Sequence, residues 1–496
     1  MNAAAQTAPR PRPAASDRFD LLRVPVIGRF LRWRWARMAV QGPVLVLSAI
    51  MIAHAIFGPQ LAPKNLGALL TWVHFRGLVV LFLLLGGNFF CMACPFMLPR
   101  DLARRWVQPR WAWPKFLRTK WPAAILFAGI LFTYEWASLW SDPWATGMLI
   151  IGYFAAAFFV DVFFKKASFC KYVCPVGQFN FLGSTLSPLE VAVREPGVCA
   201  DCRTKDCIAG RRETGEGIPP LQRRIIQRGC ELELFQPRKV GNLDCTFCMD
   251  CVHACPHDNV GIMARLPGEE IAATGERSGI GDLDGRGDWT ALVVVFVFGA
   301  VLNAFAMISP VYALERLLSR VTGLGGRGPV LALLFGFALV VEPAVLLCGA
   351  AWMTRRACGS TDGLSAIINR YARTLVPTGF GVWLAHYGFH FLTGALTVIP
   401  VAQYAAEMAT GHAFLGMPQW QLGGMPVAYV YPIELGFITV GFLGSLAVGW
   451  LTARRHAGIR AIPALAPWAA IALILFLVAC WTMSQPMDMR VTFIAN

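Results

Sequence analysis

A chain of 496 residues that is 56% hydrophobic, with a mean hydropathy of +0.53, is too apolar for an ordinary water-soluble protein. Its net charge of +15 does not point to nucleic acid. The basic residues fall at the ends of apolar stretches, which is how membrane proteins distribute them.

In chain order, residues 1–37 are rich in Pro, Ala and Arg and read as a basic cytoplasmic N-terminal segment. It comprises a disordered tail followed by an interfacial stretch with Arg29, Arg32, Arg34 and Arg37. No small-residue cleavage site follows a short apolar region, so the first span is expected to be an anchor. Apolar stretches at 38–57, 68–90, 121–140 and 145–164 form a first membrane domain, 38–164. A polar, cysteine-rich segment follows at 165–288. Further stretches at 289–309, 328–353, 375–396, 432–452 and 463–483 form a second membrane domain, 289–496, for about nine spans in all. Arg and Lys crowd the segments that are inner if the N-terminus is cytoplasmic, as in Arg100, Arg104, Lys165, Lys166, Arg355 and Arg454. The bias predicts a multi-pass protein of a bacterial inner membrane, with 165–288 cytoplasmic and the C-terminus outside.

The polar segment carries the strongest signal. Cys245, Cys248, Cys251 and Cys255, followed by Pro256, form the C-x2-C-x2-C-x3-C-P run that wraps a [4Fe–4S] cluster. In that run the fourth cysteine serves a second cluster. Upstream stand Cys199, Cys202 and Cys207, with Cys230 further on, in looser spacing. Crossing the sets assigns one cluster to Cys199, Cys202, Cys207 and Cys255 and the other to Cys230, Cys245, Cys248 and Cys251. The plainer alternative makes Cys230 a buried free thiol, with another residue completing its site.

Two more pairs lie where spans meet the inner face: Cys91 and Cys94 before Pro95, and Cys170 and Cys174 before Pro175. Spacings of three and four put each pair on one helix face, and each proline ends or kinks its helix. Both pairs lie at a similar depth, so the four thiols can converge on a third redox or metal centre. Packing at helix ends is the bland alternative.

With these motifs the chain resembles the NapH/NosR-like membrane polyferredoxins and, more distantly, the copper-oxidase assembly protein CcoG. The resemblance covers about residues 38–260, and the first pair has one residue fewer between its cysteines than the family's C-x3-C-P motif. It implies electron transfer between the quinone pool and a partner redox protein or respiratory complex. The five spans after residue 289 lie outside it. The fold class expected is therefore an all-α polytopic membrane protein with an inserted ferredoxin-like, two-[4Fe–4S] cytoplasmic domain.

The second half has its own chemistry. His386 and His390 share a face of one span, Glu342 lies within another, and His54 and His74 lie in the first two. Ionisable residues inside a membrane mark function by default. These five could hold a quinone headgroup and its protons. Histidines from different helices could instead ligate a haem b, but His386 and His390, on one face, cannot share an iron. The functional expectation is an iron–sulfur electron-transfer protein, a subunit or component of a quinol-linked oxidoreductase. The alternative is an assembly factor that reduces a metal such as copper.

Overall fold

The computed structural model describes residues 18–213 and 224–487. It is 68% helical. Helix α1 (Pro25–Arg32) leads into α2 (Ala36–Phe57). Then come α3 (Leu66–Leu85), α4 (Met97–Ala103), α5 (Trp121–Trp136), α6 (Pro143–Phe163) and α7 (Pro175–Gly183). The caps follow local chemistry: α6 opens on Asp142, whose carboxylate accepts from Ala145 N–H at 2.9 Å, with Pro143 in the first turn.

Beyond residue 286 the chain is again helical: α8 (Gly287–Phe305), α9 (Ser309–Thr322), α10 (Arg327–Cys358) and α11 (Leu364–Gly394). These are followed by α12 (Val398–Thr410), α13 (Val427–Ala457) and α14 (Ala461–Ser484). Among the described residues six helical stretches are long and apolar enough to cross a membrane: α2, α3, α6, α8, α10 and the run Val427–Ser484. The pair α11 and α12, bent by 58°, makes a seventh.

That number differs from the nine read from hydropathy, for two reasons. The stretch 121–140 becomes a helix of only 16 residues, about 24 Å long against a hydrocarbon core of about 30 Å. The run Val427–Ser484 holds two of the expected stretches. It turns at Gly458, whose φ of +55° suits glycine, and α13 and α14 then pack along each other.

In α8, 72% of the apolar window is buried, against 11% in α2. So α8 is a core helix and α2 peripheral. Around α8 the helices approach closely. A Cβ on Gly381 of α11 would lie 2.6 Å from the Phe437 carbonyl of α13, and Trp383 Nε1 donates to the Phe296 carbonyl at 2.8 Å. Small residues at such crossings are how helices pack without a hydrophobic drive.

Between the two helical halves, β1 (Leu189–Val193) pairs antiparallel with β4 (Val260–Ala264). A smaller pair, β2 (Arg211–Arg212) and β3 (Ile225–Gln227), lies between them in sequence. Residues 1–17 of the expected N-terminal tail lie outside the described residues. Within residues 18–37, Val26, Ile27, Phe30 and Trp33 are exposed, while Asp20, Arg32 and Arg37 are tied to other parts of the chain. Asp20, 4% exposed, accepts from Ile262 N–H and from Arg194, Arg32 pairs with Asp258, and Arg37 pairs with Asp101 and Asp250. Carboxylates of this central segment claim arginines that sequence assigned to lipid.

Candidate metal centres

Cys199 lies in the helix Pro196–Asp201 and Cys202 is its C-terminal cap. Lys205, at φ +51°, then reverses the chain into Asp206–Ala209, which carries Cys207. Cys255 caps the short helix Asp250–Ala254. These four thiols line one hollow, open to the surface, that also meets Lys205, Phe235 and Gln236. Two N–H groups aim at its sulfurs: Asn259 N donates to Cys255 Sγ at 3.3 Å and Asn259 Nδ2 to Cys199 Sγ at 3.2 Å. Burial pushes the Cys207 thiol up to about 11, with Cys255, Cys199 and Cys202 adding to the shift.

The remaining four converge separately. Burial pushes Cys251 well above the usual thiol range, and its charged neighbours in that direction are Cys230, Cys248 and Cys245. Cys230 is likewise pushed up to about 11 by burial, and Cys245 is again a neighbour. The loop reaches this packing through three non-glycine residues in the left-handed region, Asp244, Phe247 and Met249 at φ +58°, +54° and +64°. Such conformations are disfavoured and mark a loop bent around something. Cys230 N–H donates to the Cys207 carbonyl at 2.9 Å, which ties the two sets together. Cys199, Cys202, Cys207 and Cys255 thus line one hollow, while Cys251 lies near Cys230, Cys245 and Cys248.

Among the described residues no three His, Cys, Asp or Glu side chains close up around a single metal ion. A lone tetrahedral ion with bonds of about 2.3 Å needs sulfurs about 3.8 Å apart.

Cys91 and Cys94 lie where the short helix Phe89–Met92 ends. Cys170 lies in the π-helical turn Phe169–Val173, and Cys174 is the N-cap of α7. The structure brings these four together as well: Cys174 is within electrostatic reach of Cys94 and Cys91, and Cys170 of Cys174 and Cys94.

The five membrane residues are not brought to one place. His386 and His390 are buried side by side on α11, ring centres 5.3 Å apart. His54 Nδ1 accepts from Leu66 N–H at 3.1 Å, so it joins α2 to the start of α3. His74 Nε2 lies 3.2 Å from the Ala395 carbonyl, at the end of α11. Glu342 sits in α10, whose last seventeen residues pack on α14 and on Leu364–Ala372, whereas the histidine stretch of α11 packs on α13, α8 and α3. Glu342 and the histidines thus pack mainly on different neighbours, though both helices touch α14. Helices α3 and α11 approach closely at Gly77, where a Cβ would lie 2.3 Å from Phe391 Cβ.

Sequence reading passed over several charges within spans. Arg76 of α3 lies over the rings of Trp72, Tyr134 and Tyr387 at 4.6, 4.8 and 4.9 Å. Glu135, Asp161 and Glu434 are buried. Their signal was a single charge in an apolar stretch.

Helices able to cross a membrane, joined to a central segment where cysteines converge, define the class of this molecule: a mostly helical membrane protein. Comparison with protein-family models, with curated proteins and with solved structures gives no match.

Proposed function

We propose that this chain is a membrane electron-transfer protein with a ferredoxin-like cytoplasmic unit. Cys199, Cys202, Cys207 and Cys255 hold one [4Fe–4S] cluster, and Cys230, Cys245, Cys248 and Cys251 hold a second. The observation that carries the reading is the sorting of eight cysteines, far apart in sequence, into two sets of four, each of which draws on both sequence motifs. The resemblance of residues 38–260 to NapH/NosR-like polyferredoxins supports the same role.

The protein supplies three things. Thiolates hold the iron, and loading it displaces the protons of thiols that burial keeps neutral. The N–H groups of Asn259 set sulfur basicity at the outer cluster. Carboxylate–guanidinium pairs from α1, α2 and α4 fix the unit against the membrane helices. One electron at a time passes between the clusters, with a membrane quinol as the two-electron, two-proton partner on one side and a soluble redox protein on the other. His386 and His390 are the buried bases placed to take quinol protons.

The test is spectroscopic. In anaerobically purified protein, Cys202→Ala and Cys248→Ala should each remove a different reduced-state EPR signal, and quinol should reduce the clusters of the unaltered chain. Zinc in place of iron at these cysteines, or clusters that quinol never reduces, would overturn the proposal.

A further inference from the structure

We propose that Cys91, Cys94, Cys170 and Cys174 hold a third iron–sulfur cluster, of the [4Fe–4S] type, at the junction between the membrane helices and the cytoplasmic unit. This deepens the proposed function and rests on its reading of the other eight cysteines.

The first support is convergence. Two broken helical segments, Phe89–Met92 and Phe169–Val173, each end on a Cys-Pro step. Proline has no N–H and halts the helix there, so each pair sits where the chain bends away. Across these breaks Cys174 lies within electrostatic reach of Cys91 and Cys94, and Cys170 of Cys94 and Cys174. They do not close up to the spacing a single zinc or copper ion requires, and all four are free thiols.

The second support is what surrounds them. Asn180 Nδ2 donates to Cys91 Sγ at 3.2 Å, and Gly177 N–H to Cys174 Sγ at 3.2 Å. Hydrogen bonds to sulfur of this kind tune iron–sulfur clusters. The Gly177 bond also caps the first turn of α7, whereas the Asn180 bond has no such role in the helix. Buried polar atoms also lack partners among the described residues here: Asn180 Oδ1, Gln178 Oε1, Gln41 Oε1 and the Tyr153 hydroxyl. Asn180 and Gln178 are fully buried, and Gln41 is 1% exposed. The Tyr153 hydroxyl is within reach of Cys174 and Cys94. Such orphans are costly unless a further group completes the site. Of these atoms the Tyr153 hydroxyl is a donor, which a sulfide of an inorganic core would accept from; the three amide oxygens are acceptors, and their nitrogens already donate to Cys91 Sγ and to the carbonyls of Cys170, Lys171, Met92 and Cys94.

The third support is position. Tunnelling falls steeply with distance, and the histidines of α11 are far from the cytoplasmic cysteines. Helix α7 spans this gap. Its Phe179 ring lies 5.3 Å from Trp383 and 6.3 Å from Tyr387, next to His386. Cys174 caps the same helix five residues earlier, about 7.5 Å along its axis. On the far side, Asn88 Nδ2 donates to the Cys245 carbonyl at 2.9 Å, and Phe89 packs on Phe247 at 5.2 Å. Gly87, at φ +144°, is required there, since a Cβ would lie 2.7 Å from the Phe247 ring. The loop of the second cluster is thus plugged into the helix break beside Cys91. The third core would gain one electron from quinol and lose it to the Cys245 set, with no bond made to either.

The test counts iron and acid-labile sulfide in the full chain, purified without oxygen. With about four irons per cluster, the unaltered chain should hold about twelve. Cys91→Ala/Cys174→Ala should lower this to about eight and keep the EPR signals of the other two clusters. Cys202→Ala/Cys248→Ala should lower it to about four, so loss of the first two clusters is distinguishable from loss of the third. About eight irons in both the unaltered chain and Cys91→Ala/Cys174→Ala, or copper or zinc at the quartet, overturns the proposal. Asn180→Leu offers a second measurement that spares the ligands. It should shift the midpoint potential of one centre, and no shift in any centre also overturns the proposal.

Discussion

Replacing Arg100 with methionine should loosen the joint between the membrane helices and the second cysteine set. Arg100 is 1% exposed and pairs with Asp161 at 3.2 Å, Asp101 at 2.7 Å and Glu231 at 3.1 Å. Asp161 is itself fully buried, and Glu231 adjoins Cys230. Methionine matches the stem of the side chain but leaves these carboxylates without their shared cation. Removing one partner of a buried pair costs about 3–5 kcal/mol, which is roughly 150- to 5,000-fold in a local equilibrium at about 1.4 kcal/mol per tenfold. Arg104 also binds Glu231, at 2.8 Å, so the lower half of that range is expected. Hydrogen exchange reads the opening directly. The amides of Cys230, bonded to the Cys207 carbonyl, and Ala167, bonded to the Glu231 carbonyl, should exchange at least about 100-fold faster in the variant. Asp161→Asn added to Arg100→Met should restore part of the protection, because it removes the most deeply buried orphan. Exchange within about threefold of the unaltered chain would refute the reasoning and mean that water or Arg104 satisfies these carboxylates.

Other expectations follow from different parts of the molecule. His390→Ala should slow quinol-driven cluster reduction while dithionite still reduces the clusters fully, and Glu342→Gln, on a helix packed elsewhere, should leave the rate unchanged; stopped-flow absorbance distinguishes them. Reporter fusions after residue 270 and at the C-terminus should report opposite sides of the membrane, as the arginine and lysine bias requires. Burial pushes the Asp101 carboxyl up, but Arg100, Arg37 and Arg228 outweigh it and hold the group well below the usual range. Its contribution to stability is therefore full above its unfolded value of about 3.9 and fades as pH falls below that. Asp101→Asn should flatten this part of an acid-unfolding curve followed by tryptophan fluorescence.

The grouping of Cys245, Cys248 and Cys251 was legible because they lie a few residues apart, in the restrictive spacing that runs to Pro256. Cys230 was harder, since its partners are supplied by folding and not by neighbours in sequence. The partners of Arg32 and Arg37 were not legible, because a guanidinium beside an apolar stretch reads the same whether it meets lipid phosphate or Asp258 and Asp250. Glu342 and His390 were joined by depth alone. Rise per residue fixes how far a side chain lies along a helix but not which way round the bundle it stands. Arg76, Asp161 and Glu434 escaped because averaging over a span of about 20 residues dilutes one charge.

The docking of Asp20 onto Ile262 also bears on how the molecule is made. These residues are 242 positions apart, and a ribosome adding about 5–20 residues per second needs roughly 12–50 s to go from one to the other. Throughout that interval the first helices can enter the bilayer, while the edge of β4 does not yet exist for the N-terminal segment to close upon. The cysteine loops therefore emerge into an open cradle. Under the proposed function, iron delivery would have a window that ends when the last strand arrives, and a chain that closes early would seal in bare thiols.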